Sequence, residues 1–312
     1  MKIGLVLAGG GGKGAYQIGV WKAFRELGVD KYIEGVSGTS IGALNAALFA
    51  QGSYPLAEAI WMEITREKIL PLDNIEFFTK GIKLFLGNKN INFIKRFTPK
   101  MLEQGSVSRQ GLEEIVDGKL DLAKVKHTSL PIYAACTELP SIRTKYFKLN
   151  NLEEQDIKKV LFATSALPTF YECEQINCRK YIDGGMVDNV PVQPLYGEGC
   201  NVIFVVHLNR EASIDKSKFP NARIIEITPS REQGGILGGI LDFSPESIRK
   251  RMVIGYEDTM NLFEPLLELG RLQGKRGAGE AITNLKSSLI KTSKDLGENI
   301  SGFYKKIKNA SM

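Results

Sequence analysis

The sequence predicts an α/β domain built on a mostly parallel central sheet flanked by helices, followed by a helical, basic C-terminal extension. Three observations carry this. The first 50 residues alternate short apolar runs, glycine-rich turns and helix-period segments in the order βαβα. Two later runs, Val202 to Leu208 and Arg223 to Ile227, have the composition of buried parallel strands. Residues 271 to 312 carry nine Lys and Arg against three acids, so the formal net charge of +6 sits there and the first 270 residues are neutral.

The chain has 312 residues, 43% hydrophobic and 24% charged, with 12 Pro and 32 Gly, an ordinary globular profile that excludes disorder, collagen and a disulfide scaffold. Its length allows about two domains at ~150 residues each. No apolar run approaches the ~18 to 20 residues of a membrane span; Val202 to Val206 ends at His207. The opening Met1-Lys2-Ile3-Gly4-Leu5-Val6-Leu7 runs into glycines without a signal-peptide core, and reads as the first strand of a cytoplasmic protein.

Lys2 to Ala8 is the first strand. Four glycines stop it, and apolar residues at 15, 18, 20, 21, 24 and 27 give the first helix, with Gly28 as its stop. A strand at Ile33 to Val36 enters Ser37-Gly38-Thr39-Ser40-Ile41-Gly42, and Ala43 to Ala50 is a small-residue helix. Helices follow near 55–66 and 109–117. A strand at Pro131 to Cys136 has a partner at Ile142 to Leu149, then come a helix at Leu152 to Ala163 and a hairpin from Phe170 to Ile182. With the two late strands the sheet has six or seven members. Gly234 to Gly239 is the best boundary, dividing the chain into 1–230 and 231–312. Beyond it Ser244 caps a helix with Pro245 at its first position and apolar residues at 248, 252, 256, 260, 263 and 267.

Residues 79–100 form a second basic stretch, with six Lys and Arg, no acids and interleaved Ile, Leu and Phe, a mixture that suits either an anionic membrane surface or an amphipathic helix pair on the core. The basic charge lies in a terminal tail without a recognisable nucleic-acid-binding module, so no nucleic acid is expected as partner. Cys136, Cys173, Cys178 and Cys200 contain no C-x-x-C pair and the only histidines are His127 and His207. No metal site with ordinary ligand spacing can be assembled, and reduced thiols are expected.

Gly38-Thr39-Ser40-Ile41-Gly42 fits G-x-S-x-G. The pattern is short, but here the serine stands between a strand and a small-residue helix, where flanking glycines allow a sharp turn that exposes a nucleophile. Gly9-Gly10-Gly11-Gly12-Lys13-Gly14 joins the first strand to the first helix, so its N–H groups can converge on an anion. A dinucleotide site would need an acid at the end of the second strand, where Gly35-Val36-Ser37-Gly38 stands, and a P-loop would need Ser or Thr after Lys13. An oxyanion hole facing Ser40 fits the loop better. For the base, Asp183 before Gly184 and Gly185 leads, acting either directly or in a triad ordered Ser40, Asp183, His207.

Together these motifs resemble the patatin-like phospholipases over residues 3 to 230, with the core motifs within 4–197: the glycine-rich loop, the nucleophile motif and Asp183-Gly184-Gly185 stand in that family's order. Ala163 to Pro168 with Phe170, and Asn189 with Pro191, match its flanking segments. The resemblance implies a patatin-like fold and a lipid acyl hydrolase acting on phospholipids, with Ser40 as nucleophile, Asp183 as direct base without histidine, and the Gly10, Gly11 and Gly12 amides as oxyanion donors. Lys13 stands where members carry Arg or Lys, and is read as a helix-start cation. It further implies an acyl-lipid partner and no cofactor; amides that meet the oxyanion charge require no metal, and the basic composition of 79–100 and 271–312 suits peripheral contact with an anionic membrane at its inner face. A small-ester esterase or thioesterase and a low-turnover lipid-binding module are the alternatives.

Overall fold

The computed structural model describes residues 1–69, 102–105, 107–168 and 170–274. The basic stretch 79–100 and residues 275–312 of the expected extension lie outside them.

β1 (Ile3–Leu7) is buried at all positions, as a strand covered on both faces must be. One 3-10 turn, Gly11–Gly14, leads into α1 (Ala15–Leu27), which ends at a left-handed Gly28 with φ 70°. β2 (Ile33–Thr39) then runs parallel to β1. It outlasts the Val36 end read from the apolar run, because Ser37 and Gly38 pair with Val6 and Leu7 and the strand continues to Thr39. α2 (Ile41–Gln51) starts at once, two residues before the expected Ala43.

α3 (Tyr54–Glu63), α4 (Arg66–Ile69), α5 (Gln110–Lys119) and α6 (Leu122–His127) lead to β3 (Ile132–Leu139) and β4 (Arg143–Lys148). α7 (Glu154–Thr164) is followed by β5 (Glu174–Ile176) and β6 (Arg179–Asp183). That hairpin begins at Glu174 rather than Phe170, and its two-residue turn, Asn177 and Cys178, has φ 49° and 61°, the geometry of a tight right-twisted connection. α8 (Gln193–Gly197), β7 (Val202–Val206), β8 (Arg223–Ile227) and α9 (Pro245–Gly274) complete the described chain.

The sheet has eight strands in the order β5-β6-β3-β2-β1-β7-β8, with β4 on β3. Parallel ladders join β3, β2, β1, β7 and β8, and antiparallel ladders add β4, β6 and β5, which brings the sheet to eight strands against the six or seven expected. β3 is shared along one edge: β2 pairs with Ile132 to Ala135 and β6 with Cys136 to Leu139. Since β6 is antiparallel to β3 and β2 parallel, the carboxyl ends of β2 and β6 meet head to head, Thr39 opposite Ala135 and Asp183 opposite Cys136.

Strand alternation divides the core. Val202, Phe204 and Val206 of β7 join the large cluster beneath the helices, while Ile203 and Val205 join Leu195 and Phe219 on the other face. The segment after Gly234 contributes to the large cluster: Leu241, Phe243, Ile248, Met252 and Ile254 belong to it. α9 lies against α1 at two glycines, where a Cβ on Gly19 would fall 1.9 Å from Met252 O and one on Gly255 would fall 2.1 Å from Tyr16 O. The buried side of α9 takes in 248 and 252 of the stripe read from its apolar letters, adds 251, 254, 255 and 259 at this contact, and leaves 256, 260, 263 and 267 half-buried. Among the described residues no helix is long and apolar enough to cross a membrane.

Candidate active site

Ser40 occupies the step between β2 and α2 at φ 55° and ψ −126°, a conformation that costs a non-glycine residue about 1–3 kcal/mol. The turn is held from both sides. The Ser40 N–H donates to Thr164 Oγ1 at 2.9 Å, and the Thr164 hydroxyl donates to Ala135 O at 2.5 Å. The Ala43 N–H closes the first turn of α2 on Ser40 O at 2.9 Å. A Cβ on Gly38 would lie 2.2 Å from Gly42 O and one on Gly42 would lie 2.2 Å from Leu7 O, so both glycines of G-x-S-x-G are required sterically. Thr39 Oγ1 donates to Asp188 O at 3.0 Å and Ser37 Oγ to Pro191 O at 2.6 Å, tying β2 to the segment after Asp183.

Asp183 ends β6 and is 5% exposed. Its N–H donates to Ala166 O at 2.9 Å, its carbonyl accepts from Thr137 Oγ1 at 2.9 Å, and its Oδ1 accepts the Gly185 N–H at 2.7 Å. Burial pushes its pKa from the ordinary 3.8 up to about 6, against the opposing pull of the Gly185 N–H and the Ser40 hydroxyl. Gly184 packs where a Cβ would lie 2.2 Å from Ala135 O.

The glycine loop reaches the same place from β1. Gly9 and Asn189 clasp each other, Gly9 N–H to Asn189 O at 3.2 Å and Asn189 Nδ2 to Gly9 O at 3.1 Å. The Lys13 N–H donates to Gly10 O at 3.3 Å, starting the 3-10 turn and leaving the Gly10, Gly11 and Gly12 amides ahead of the helical ladder. Gly10 and Gly11 line a cavity of about 1000 Å³ with Ser40 and Asp183. Gly12 does not line it and is buried beneath. The cavity has an apolar wall of Leu44, Leu167, Phe170, Tyr171 and Phe243 and a polar one that includes Asp188, Asn189 and Asn209.

Lys13 is half-buried on this cavity, its ammonium without a hydrogen bond or ion pair among the described residues; desolvation, then repulsion from Arg251, lower its pKa, with Glu232 opposing. Ile41 also lines the cavity, and Gly14 lies behind it, where a Cβ would meet Ile41 Cγ1 at 2.7 Å.

His207 lines the cavity but faces elsewhere. Its Nε2 donates to Glu226 Oε2 at 2.9 Å, its Nδ1 is buried without a partner, and burial lowers its pKa despite Glu226. Ser40 and Asp183 thus line one cavity, while the His207 ring is engaged with Glu226. His127 is exposed at the end of α6 and does not line the cavity. The four cysteines are free, and among the described residues no group of three His, Cys, Asp or Glu could hold a metal.

Sequence reasoning missed the supports behind the loop. Gln17 Nε2 donates to Ala8 O at 2.7 Å, Asn45 Nδ2 to Gly14 O at 3.1 Å and to Gln17 Oε1 at 2.7 Å, and Trp61 Nε1 to Asn45 Oδ1 at 2.9 Å. Polar residues inside apolar helices were the available signal, and nothing in their spacing says what they hold.

A family model described as Patatin-like phospholipase matches residues 5–196, more than half of the chain. An uncharacterized NTE family protein of Mycobacterium bovis is 25% identical over 227 residues, 70% of this chain and 53% of that protein. The lysophospholipase nte1 of Aspergillus terreus is 28% identical over 207 residues, 65% of this chain and 12% of its own. The chain thus spans about half of the mycobacterial protein and a small part of the fungal one. Among solved structures, VipD from Legionella pneumophila aligns over 99% of this chain and 80% of its own at 16% identity, with a TM-score of 0.46.

Proposed function

The chain belongs to the patatin-like phospholipase family, and from that premise we propose that it is a serine lipid acyl hydrolase that cleaves fatty-acyl ester bonds of phospholipids. The observation that supports the reading most is the placement of Ser40 and the buried Asp183 on one cavity, at the facing ends of β2 and β6, with the His207 ring held by Glu226.

Ser40 Oγ attacks the acyl carbonyl carbon while its proton passes to Asp183. The carbonyl oxygen becomes an oxyanion, met by the N–H groups of Gly10 and Gly11 on the cavity wall, with the Gly12 amide following in the same turn. Collapse breaks the ester C–O bond, and the leaving alcohol takes the proton from Asp183. Water then attacks the acyl-enzyme, gives its proton to Asp183, and Ser40 leaves with that proton as the fatty acid forms. A carboxylate with an ordinary pKa is a weak base for a hydroxyl, and burial that raises Asp183 to about 6 makes it a better one. The apolar wall suits an acyl chain. Protein amides meet the oxyanion charge, so the proposal needs no metal or cofactor. Basic segments 79–100 and 271–312 would hold the enzyme on an anionic membrane from the cytoplasmic side.

Fatty-acid release from mixed phospholipid vesicles in chelator, with wild type, Ser40→Ala and Asp183→Asn, tests the proposal. Release by wild type and its loss in both variants is expected. Equal release by Ser40→Ala would overturn it. Labelling of Ser40 by a fluorophosphonate without release from any lipid would favour a different ester or thioester, and neither labelling nor release a binding module.

A further inference from the structure

The glycine loop is held from outside the family-matched residues. A trans peptide points its carbonyl and its N–H in opposite directions, so fixing the carbonyl oxygens of the loop fixes where its amides aim. Ala8 O, Gly9 O and Gly14 O are held by Gln17, Asn189 and Asn45. Gly12 O is held by Arg251 Nη1 at 3.3 Å, from α9. The chain of bonds continues from there: the other end of the Gly12 peptide is the Lys13 N–H, which donates to Gly10 O, and the other end of the Gly10 peptide is the N–H of Gly11, a residue that lines the cavity.

Arg251 is 4% exposed, and its guanidinium is shared out among backbone carbonyls. Nη1 also donates to Asp242 O at 2.6 Å, and Nη2 to Gly238 O at 2.9 Å and to Asp242 Oδ2 at 3.1 Å. The turn it gathers, which includes the π-helical Ile236–Ile240, backs directly onto the loop: a Cβ on Gly11 would lie 2.3 Å from Ile240 O, and one on Gly12 would lie 2.2 Å from Asp242 O. Burying a guanidinium costs several kcal/mol unless its donors are satisfied. Only the planar fork of an arginine can reach three carbonyls and a carboxylate together.

We propose that Arg251 is a positioning residue for the oxyanion loop, locking the 238–242 turn against Gly11 and Gly12 and thereby aiming the Gly11 amide at the acyl oxygen. The role rests on the hydrolase reading above. It makes the segment from Gly234 to α9 part of the catalytic unit although the family match ends at residue 196.

The test compares full-length wild type, Arg251→Lys and Arg251→Ala on a soluble 4-nitrophenyl ester, which removes membrane binding from the readout, alongside backbone hydrogen exchange over residues 10–14. Arg251→Lys keeps the charge and stem but not the fork. It is expected to lower kcat about 10- to 100-fold, less than or comparable to the loss of an oxyanion donor, with KM within about twofold and faster exchange in the loop. Added guanidinium ion is expected to restore at least about fivefold in Arg251→Ala and to do nothing for Arg251→Lys. Should Arg251→Ala fail to fold, Arg251→Lys and the exchange measurement decide alone. Active wild type with unchanged kcat and loop exchange in Arg251→Lys overturns this role and leaves the hydrolase reading standing. Wild type that neither hydrolyses the ester nor takes a fluorophosphonate on Ser40 overturns the hydrolase reading and this role with it.

Discussion

Replacing Asp183 with Asn should stabilise the protein while disabling it, and the stabilisation should depend on pH in a defined window. Burial raises the Asp183 pKa from 3.8 to about 6. A carboxyl whose folded pKa exceeds its unfolded value favours the folded state when protonated; that contribution is complete below about pH 4 and is lost as pH rises to about 6. At ~1.4 kcal/mol per pKa unit, the ionised group then costs about 3 kcal/mol relative to its protonated form. Asn cannot ionise, and its carbonyl can still accept the Gly185 N–H that Asp183 Oδ1 takes at 2.7 Å. Urea unfolding of wild type and Asp183→Asn from pH 4 to 8 is therefore expected to show a gap that grows between about pH 4 and 6 by about 3 kcal/mol in favour of the variant, then levels. Ester hydrolysis by wild type should move the opposite way, rising through about pH 6 as the base ionises. A pH-independent gap, or a variant that becomes relatively less stable above pH 6, would refute the claim that Asp183 is held desolvated as a strained base.

Thr164→Val removes the acceptor of the Ser40 N–H and the donor to Ala135 O. It should cost about 1–3 kcal/mol in thermal or urea unfolding and lower kcat more than it changes KM, because the nucleophile turn loosens. Activity should persist in chelator; loss that calcium specifically restores would contradict an oxyanion hole made of amides. Binding to anionic vesicles should weaken as salt rises from about 0.05 to 0.5 M, and salt-indifferent binding would count against basic segments 79–100 and 271–312 as the contact.

The opening βαβα unit was legible because each boundary is marked by a residue that only one conformation suits. Glycines end β1, Gly28 ends α1, and the glycines around Ser40 mark a turn no other residue can make. The late strands were legible as apolar runs, and Arg223–Ile227 was read with the bounds it has. Where the sequence ran short, tertiary contact decided. β2 carries Ser37, Gly38 and Thr39 as strand because β1 and β3 flank them, and the close approach at Gly19 and Gly255 buries Arg251, Gly255 and Thr259 of α9 beside the apolar letters 248 and 252.

The site divides in the same way. Ser40, Asp183 and the loop glycines are local motifs, and the letters name them. His207 kept a triad open at the sequence level, and only the 2.9 Å bond to Glu226, on the neighbouring strand, shows which way the ring faces. Arg251 reads as one more solvated cation on a helix until the fold brings it to Gly12, 239 residues away in sequence.

The measurement closest to the central claim is the rate of fluorophosphonate labelling, read by intact-protein mass, in wild type, Ser40→Ala, Asp183→Asn and His207→Gln. Direct activation of Ser40 by Asp183 predicts labelled wild type and His207→Gln at similar rates, no label on Ser40→Ala, and a rate lowered at least about 100-fold in Asp183→Asn. A folded His207→Gln that no longer labels, beside an Asp183→Asn that still does, would contradict it.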